Sequence, residues 1–170
     1  MSERNCCVAI YSAHQEVEAT LDALHRQGCD LRSVSLIGKG IRDSGQSFAY
    51  YGSVGGVQFD GEHGEFWNRV SRMLGPTACF WGGGYGPYAA VGSIVAVLID
   101  GDGLTITGGL RALGAALYAL GVPGNNALRY EVMVGEGSLL LVVHGNRAEV
   151  EQASDTIAST DGVEMAVHAA

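Results

Sequence analysis

The sequence predicts an α+β fold in which two strand–helix–strand units are separated by a long glycine-rich, partly helical insertion. Two apolar runs of strand length lie near each end of the chain. Between the two runs of each pair, apolar residues recur at helical spacing. The chain between the units differs in composition, beginning with polar, glycine-rich residues 40–65. Two such units form a split βαβ, or ferredoxin-like, sheet. We therefore expect a single domain, residues 1–170, with halves at 6–39 and 126–168 around an insertion at 40–125.

The first half has the pattern of a buried strand, a helix and a second strand. An uninterrupted apolar run opens it, and in the helix Val17, Leu21 and Leu24 recur at helical spacing with acidic residues on the other face. Gly28 suits the end of this helix because glycine adopts a positive φ at little cost. The predicted elements are a strand at 6–11, a helix at 14–27 and a strand at 34–37.

The second half repeats this pattern. In its helix, Val150, Ala153 and Ile157 recur at helical spacing, and its last strand alternates in the expected burial of its side chains. The predicted elements are a strand at 139–144, a helix at 147–159 and a strand at 163–168.

The insertion carries weaker signals. Glycine density and a proline predict a loop at 79–87, whereas the spacing at 91–99 fits either a helix or a buried strand. Asn125 or Asn126 suits the cap of the helix that follows the Gly–Val–Pro–Gly stop. The predicted helices of the insertion are 65–74 and 108–120, and the next helix, 127–134, begins the second half.

The charge balance argues against two classes of partner. The formal net charge is −8, from 18 acidic and 10 basic residues, so the chain lacks the basic stripe that nucleic-acid phosphates or anionic membranes require.

The longest nearly uninterrupted apolar stretch, 88–99, is shorter than the roughly 20 residues of a membrane-spanning helix. The four cysteines lack Cys-x-x-Cys spacing, and we expect them to be reduced in a cytoplasmic protein.

Small residues recur along the predicted helix at 108–120. Gly108, Gly109, Ala112 and Ala116 would let another helix backbone approach closely. The stripe fits two arrangements, packing onto the protein's own sheet or a helix–helix contact between copies. Because the insertion has more apolar surface than one small sheet covers, we expect a homo-oligomer, and a protein partner on the same surface is the alternative.

Several stretches of the chain resemble a known family. The best is GGLRALGAALYALGVP at 108–123, and the others are DLRSVSLIGKG at 30–40, FWGGGYGP at 80–87, ALRYE at 127–131 and LLVVHG at 140–145. They are similar to small bacterial proteins with a general-stress-protein (heat-induced stress protein) type domain. The resemblance implies a ferredoxin-like domain with a hydrophobic glycine-rich insertion and a stress-linked role. It brings no catalytic residue, cofactor or substrate. The sequence departs from the family pattern at Cys6 and Cys7 and in a shorter, more polar insertion.

One candidate metal site depends on the predicted topology. In a ferredoxin-like sheet, His144 and His168 lie at the same edge, on either side of the start of the first strand, where Cys6 and Cys7 stand. Two imidazoles and a thiolate suit Zn²⁺ or a copper ion. Only one of the two cysteines can share a face with the histidines. The alternative interpretation is that both histidines end strands and both cysteines are small buried apolar residues.

A candidate ligand site is the aromatic, glycine-rich loop with Phe80, Trp81, Tyr85 and Tyr88. We find no nucleophile–base pair or acid pair typical of an enzyme. The sequence therefore favours a non-enzymatic homo-oligomer that associates through the insertion. The alternative is a small-ligand or transition-metal sensor that uses the cysteine–histidine edge or the aromatic loop.

Overall fold

A computed structural model of the chain describes residues 5–39, 49–51, 57–59, 61–81, 87–100, 112–160 and 164–169. They form a mixed α/β structure with a six-stranded antiparallel sheet, a separate two-stranded pair and six helices. The strands are β1 Asn5–Tyr11, β2 Val34–Lys39, β3 Ala49–Tyr51, β4 Val57–Phe59, β5 Thr77–Trp81, β6 Pro87–Gly92, β7 Leu139–Gly145 and β8 Glu164–His168. The helices are α1 His14–Arg26, α2 Gly61–Leu74, α3 Ile94–Asp100, α4 Ala112–Leu120, α5 Gly124–Gly135 and α6 Arg147–Ala158.

The six strands lie in the order β5-β6-β2-β7-β1-β8, and every neighbouring pair is antiparallel. The strands of the first unit, β1 and β2, lie on either side of β7, which belongs to the second unit. The other strand of the second unit, β8, pairs with β1 and is the last strand of the sheet among the described residues. Strands β5 and β6 come from the insertion and extend the same sheet beyond β2.

Strand β7 is buried on both faces. Leu139, Leu141 and Val143 point to one side and Leu140 and Val142 to the other, because successive side chains alternate across a strand. Burial of each such side chain stabilises the fold by about 1.5–3 kcal/mol. A strand of this kind requires a helical layer on each face of its sheet.

Two cores result. The first core lies between the sheet and helices α1, α2 and α6, and the second core lies between the sheet and helices α3, α4 and α5. The helices bring to the first core Val17, Leu21, Leu24, Phe66, Trp67, Val70, Leu74, Val150, Ala153 and Ile157. They bring to the second core Ile94, Val95, Leu98, Leu113, Ala116, Leu117, Leu120, Ala127, Tyr130 and Val134.

The elements predicted for the two halves are confirmed to within two residues at each end. Gly28 has the positive φ expected after α1, at 77°. Helix α6 begins with a capping box, in which Asn146 Oδ1 accepts from the Glu149 backbone N–H and the Glu149 carboxylate accepts from the Asn146 N–H.

The insertion differs from its prediction in three places. The predicted loop at 79–87 is wrong at both ends, because β5 and β6 enter it and pair with each other; residues 82–86 lie outside the described chain. Helix α2 begins at Gly61 rather than at residue 65, four residues earlier than predicted. Pro123 occupies the N-cap position of α5 without a side-chain cap hydrogen bond, so Asn125 and Asn126 lie inside the helix and the predicted asparagine cap is wrong.

The junction of β2, β6 and α3 depends on one glycine and one serine. Gly92 ends β6 with φ 103°, and its N–H donates to the Pro76 carbonyl over 2.8 Å. The buried Ser35 hydroxyl accepts from the Ile94 N–H at the start of α3, over 2.9 Å. A side chain on Gly92 would overlap the Val34 carbonyl oxygen, so this junction admits only glycine.

We expect Gly92→Ala to lower the free energy of unfolding by more than about 3 kcal/mol. The added methyl group would overlap the Val34 carbonyl oxygen, and the positive φ would strain the alanine backbone as well. Gly137→Ala is the matched control, since Gly137 has φ 107° and open space around its Cβ position. It should cost only about 1–2 kcal/mol. Urea denaturation of both variants measures the difference, and equal losses would contradict this account of the junction.

Candidate functional site at the end of the sheet

The end of the sheet carries a row of chemically active side chains. Cys6 on β1 lies opposite His144 on β7 and opposite His168 on β8 in the strand register. The three residues therefore share the face that points to the second core. Cys7 points to the first core. The structure thus brings together three of the four residues considered for a metal site and separates the fourth.

His144 is bound to the backbone that enters β2. Its Nδ1 lies 3.1 Å from the Ser33 carbonyl oxygen. Because a carbonyl oxygen only accepts, Nδ1 carries the proton and donates. Burial lowers the pKa of His144 below its ordinary value, and the Glu149 carboxylate partly opposes that shift. His144 is therefore a neutral, oriented imidazole at pH 7.

His168 is bound to the helical layer below the sheet. Its Nε2 lies 2.9 Å from the Tyr130 hydroxyl, and the two rings meet edge to face with centroids 5.9 Å apart. Tyr130 projects from α5 and is 1% exposed. Burial lowers the pKa of His168 and raises the pKa of Tyr130, so both groups are neutral at pH 7.

Cys6 is fully buried between these two histidines. Burial raises the pKa of its thiol to about 11, and burial together with the neighbouring Cys6 raises the pKa of Cys7 to about 12. Both thiols are thus protonated at pH 7, whereas a nucleophile or a metal ligand must be a thiolate.

The proposed metal set is not supported by this arrangement. Within the described residues, no group of three or more His, Cys, Asp or Glu side chains is placed to hold a metal ion. Each imidazole has one ring nitrogen engaged within the chain, Nδ1 of His144 with the Ser33 carbonyl and Nε2 of His168 with the Tyr130 hydroxyl. The Zn²⁺ or copper hypothesis for Cys6, Cys7, His144 and His168 finds no support in the geometry of the described residues.

The aromatic loop considered as a ligand site is described only in part. Tyr85 and the side chains of Phe80 and Trp81 lie outside the described residues. Tyr88 is fully buried in the second core, on the strand position opposite Phe80. Tyr88 is therefore a core residue and does not offer an open surface to a ligand.

Of the small-residue stripe predicted for self-association, only the side chain of Ala116 lies within the described residues. Gly108 and Gly109 lie outside the described residues, as does the side chain of Ala112. Ala116 is 3% exposed and belongs to the second core, where α4 packs on α3 and α5. The prediction that Ala116 lies at an interface between copies is therefore wrong, because the layer's own helices cover it.

Sequence reasoning missed the residues that do face outward from this layer. Tyr118 on α4 is 58% exposed, and Leu128 and Val132 on α5 are 48% and 40% exposed. We call these three residues the helical patch. Leu128 and Val132 are four residues apart and so share one helix face. Their apolar character was visible in the sequence, but only the packing of α5 shows which of its apolar residues remain uncovered.

A small cavity of about 250 Å³ lies on the other side of the sheet, between the turn after α1 and the start of α6. Cys29, Asp30, Glu149 and Gln152 are among the residues that line it. Asp30 already binds Arg32, and Glu149 already caps α6. The carboxylates of the cavity are therefore engaged in local structure.

Comparison of the chain with protein-family models, with curated proteins and with solved structures finds no match. In the described part of the chain, no helix has the length and apolar character needed to cross a membrane. The function is therefore argued from the surfaces and groups of the chain itself.

The two histidines should make stability depend on pH. Their pKa values are lowered in the folded protein, so the unfolded chain takes up protons first as the pH falls below 6.5. We expect the free energy of unfolding to be highest above pH 6.5 and to decrease towards pH 5. The slope should stay below about 1.4 kcal/mol per pH unit for each histidine, which is the limit for one proton.

Urea denaturation at pH 5.0–7.5 tests this expectation. The double variant His144→Asn/His168→Gln keeps polar groups at both positions and should show a flatter profile than the wild type. His25→Gln removes an exposed histidine of α1 and is the matched control. An unchanged slope in the double variant would show that these imidazoles do not titrate differently on folding.

Proposed function

We propose that the protein is a non-enzymatic homo-oligomeric protein that self-associates through the helical layer formed by α4 of its insertion and the adjoining α5. The observation that carries this proposal is the helical patch of Tyr118, Leu128 and Val132. Helices α4 and α5 pack on each other, so these side chains lie on adjoining elements, and a contiguous exposed apolar patch is what marks an interaction surface.

The sequence of α4 supports an apolar contact. It reads ALGAALYAL and contains no charged residue over its whole length. Its inward face is occupied by Leu113, Ala116 and Leu117, and Tyr118 projects outward. A tyrosine in such a position supplies a large contact area and a hydroxyl that tolerates water, which is why tyrosine is enriched at interfaces.

The charge distribution favours the same surface. Because each copy has a net charge of −8, two copies repel each other in most relative orientations. The repulsion is weakest where a surface carries no charge, as on α4. On α5, Arg129 lies between the two patch residues in sequence, and its guanidinium pairs with Glu164 on β8. The occupant that we propose for the helical patch is therefore the same patch of a second copy, related by a twofold axis.

We also propose that the fold is ferredoxin-like and that the biological role is linked to stress. The strand order β8-β1-β7-β2, with α1 and α6 as the crossover helices on one face, supports a ferredoxin-like split βαβ unit. Residues 40–125 would then be an insertion into that unit. A stress-linked role rests on the sequence resemblance alone.

We expect Val132→Asp to weaken self-association by at least tenfold, because it places two carboxylates at the contact between copies. Sedimentation velocity measures the mass over a range of concentrations, and circular dichroism checks that the variant is folded. Met73→Asp is the matched control, since Met73 is an apolar residue of α2 that is 36% exposed on the other helical layer. It should leave the mass unchanged. If Val132→Asp leaves the mass of the assembly unchanged at every concentration, the helical patch is not the interface.

A further inference from the structure

We propose that β8 forms a second contact between copies, in which two β8 strands pair antiparallel about a twofold axis at Ala166. The sheets of the two copies would then continue into one another. This contact is independent of the helical patch, since it uses a different element and a different kind of bonding.

Strand β8 ends the described sheet with one bonded neighbour. It pairs with β1 along its whole length, from Glu164 opposite Ile10 to His168 opposite Cys6. Its other side therefore presents backbone N–H and C=O groups at alternate residues. Pairing with a further strand satisfies these groups by the same ladder that holds β1.

The strand lacks the features that commonly prevent such pairing. Edge strands are usually protected by a lysine, a proline, a bulge or an inward-pointing charge. The sequence of β8 is EMAVH, with neither lysine nor proline, and its register with β1 is continuous and free of bulges. Its one carboxylate, Glu164, is already paired with Arg129.

The strand is also complementary to itself. In an antiparallel pair centred on Ala166, Met165 lies opposite the partner's Val167 on the face of the first core. Val167 is 47% exposed in the single chain, so this pairing covers an apolar side chain that its own fold leaves open. On the other face Glu164 lies opposite the partner's His168, which places a carboxylate beside an imidazole. The Met165–Val167 pair is favourable because it covers apolar surface, and it occurs twice about the twofold axis.

The two contacts together define an assembly. Each is isologous, and two different twofold contacts on one chain close into a dimer of dimers where the two axes intersect at right angles. A five-residue strand buries much less surface than the roughly 1,200–2,000 Å² of a stable interface. We therefore expect a dimer at low concentration and a tetramer, four times the 17.7 kDa chain, at higher concentration.

A disulfide across the twofold axis tests both the pairing and its register. In the proposed pair, residue 166 faces its own copy at a Cα separation of about 4.5–5.5 Å, which a disulfide spans. Residues 167 of the two copies are offset along the strands and about 8 Å apart, beyond the reach of a disulfide of about 7 Å. We expect Ala166→Cys to form a covalent dimer under mild oxidation, at least tenfold more than Val167→Cys. The wild type, which retains its own cysteines, sets the background.

Three outcomes separate this inference from the proposed function. If Ala166→Cys cross-links in the Val132→Asp background, the β8 contact exists without the helical patch. If neither cysteine variant exceeds the wild type, or if both cross-link equally, the β8 pairing as written is wrong, whatever the patch does. Val167→Lys provides a check without new thiols, since it adds an edge-strand lysine at an exposed position. It should remove the tetramer and leave the dimer, and a persistent tetramer would overturn the inference.

Discussion

The architecture depends on the burial of β7 on both faces. Its run of five apolar residues, from Leu139 to Val143, leaves no side for water, so the sheet must be covered twice. The helices of the two strand–helix–strand units, α1 and α6, lie on one face together with α2. The other face has to be covered by the remaining helices, and α3, α4 and α5 do so.

This second layer determines what the surface of the molecule offers. Because α4 and α5 use their small residues, such as Ala116 and Ala127, to approach the sheet and each other, their larger apolar residues are divided between core and surface. Tyr118, Leu128 and Val132 remain outside. The same layer also holds one of the histidines at the end of the sheet, because Tyr130 of α5 is hydrogen-bonded to His168. The helical layer thus both completes the fold and carries the surface through which we propose that copies associate.

The sequence predicts those parts whose signals are local. The elements β1, α1, β7 and α6 follow from short-range periodicity, and the opposition of Cys6 to both histidines follows from topology and strand register. The pairing of β5 with β6 was missed because their pattern is interrupted by glycines and a proline. The partners of the histidines were also missed. The Ser33 carbonyl is a backbone group 111 residues from His144, and Tyr130 looks like any core residue of its helix. The inward orientation of Ala116 is fixed by tertiary packing, which no spacing rule specifies.

The central claim is that the chain associates with itself through a layer that also completes its fold. A native mass spectrum of the unmodified protein, recorded over a range of concentrations without added metal or chelator, tests this claim most directly. The account predicts whole multiples of the 17.7 kDa chain mass with no additional bound mass. A bare monomer at every concentration would contradict self-association. An adduct of metal or small-molecule mass on each chain would contradict the interpretation of Cys6, His144 and His168 as structural residues.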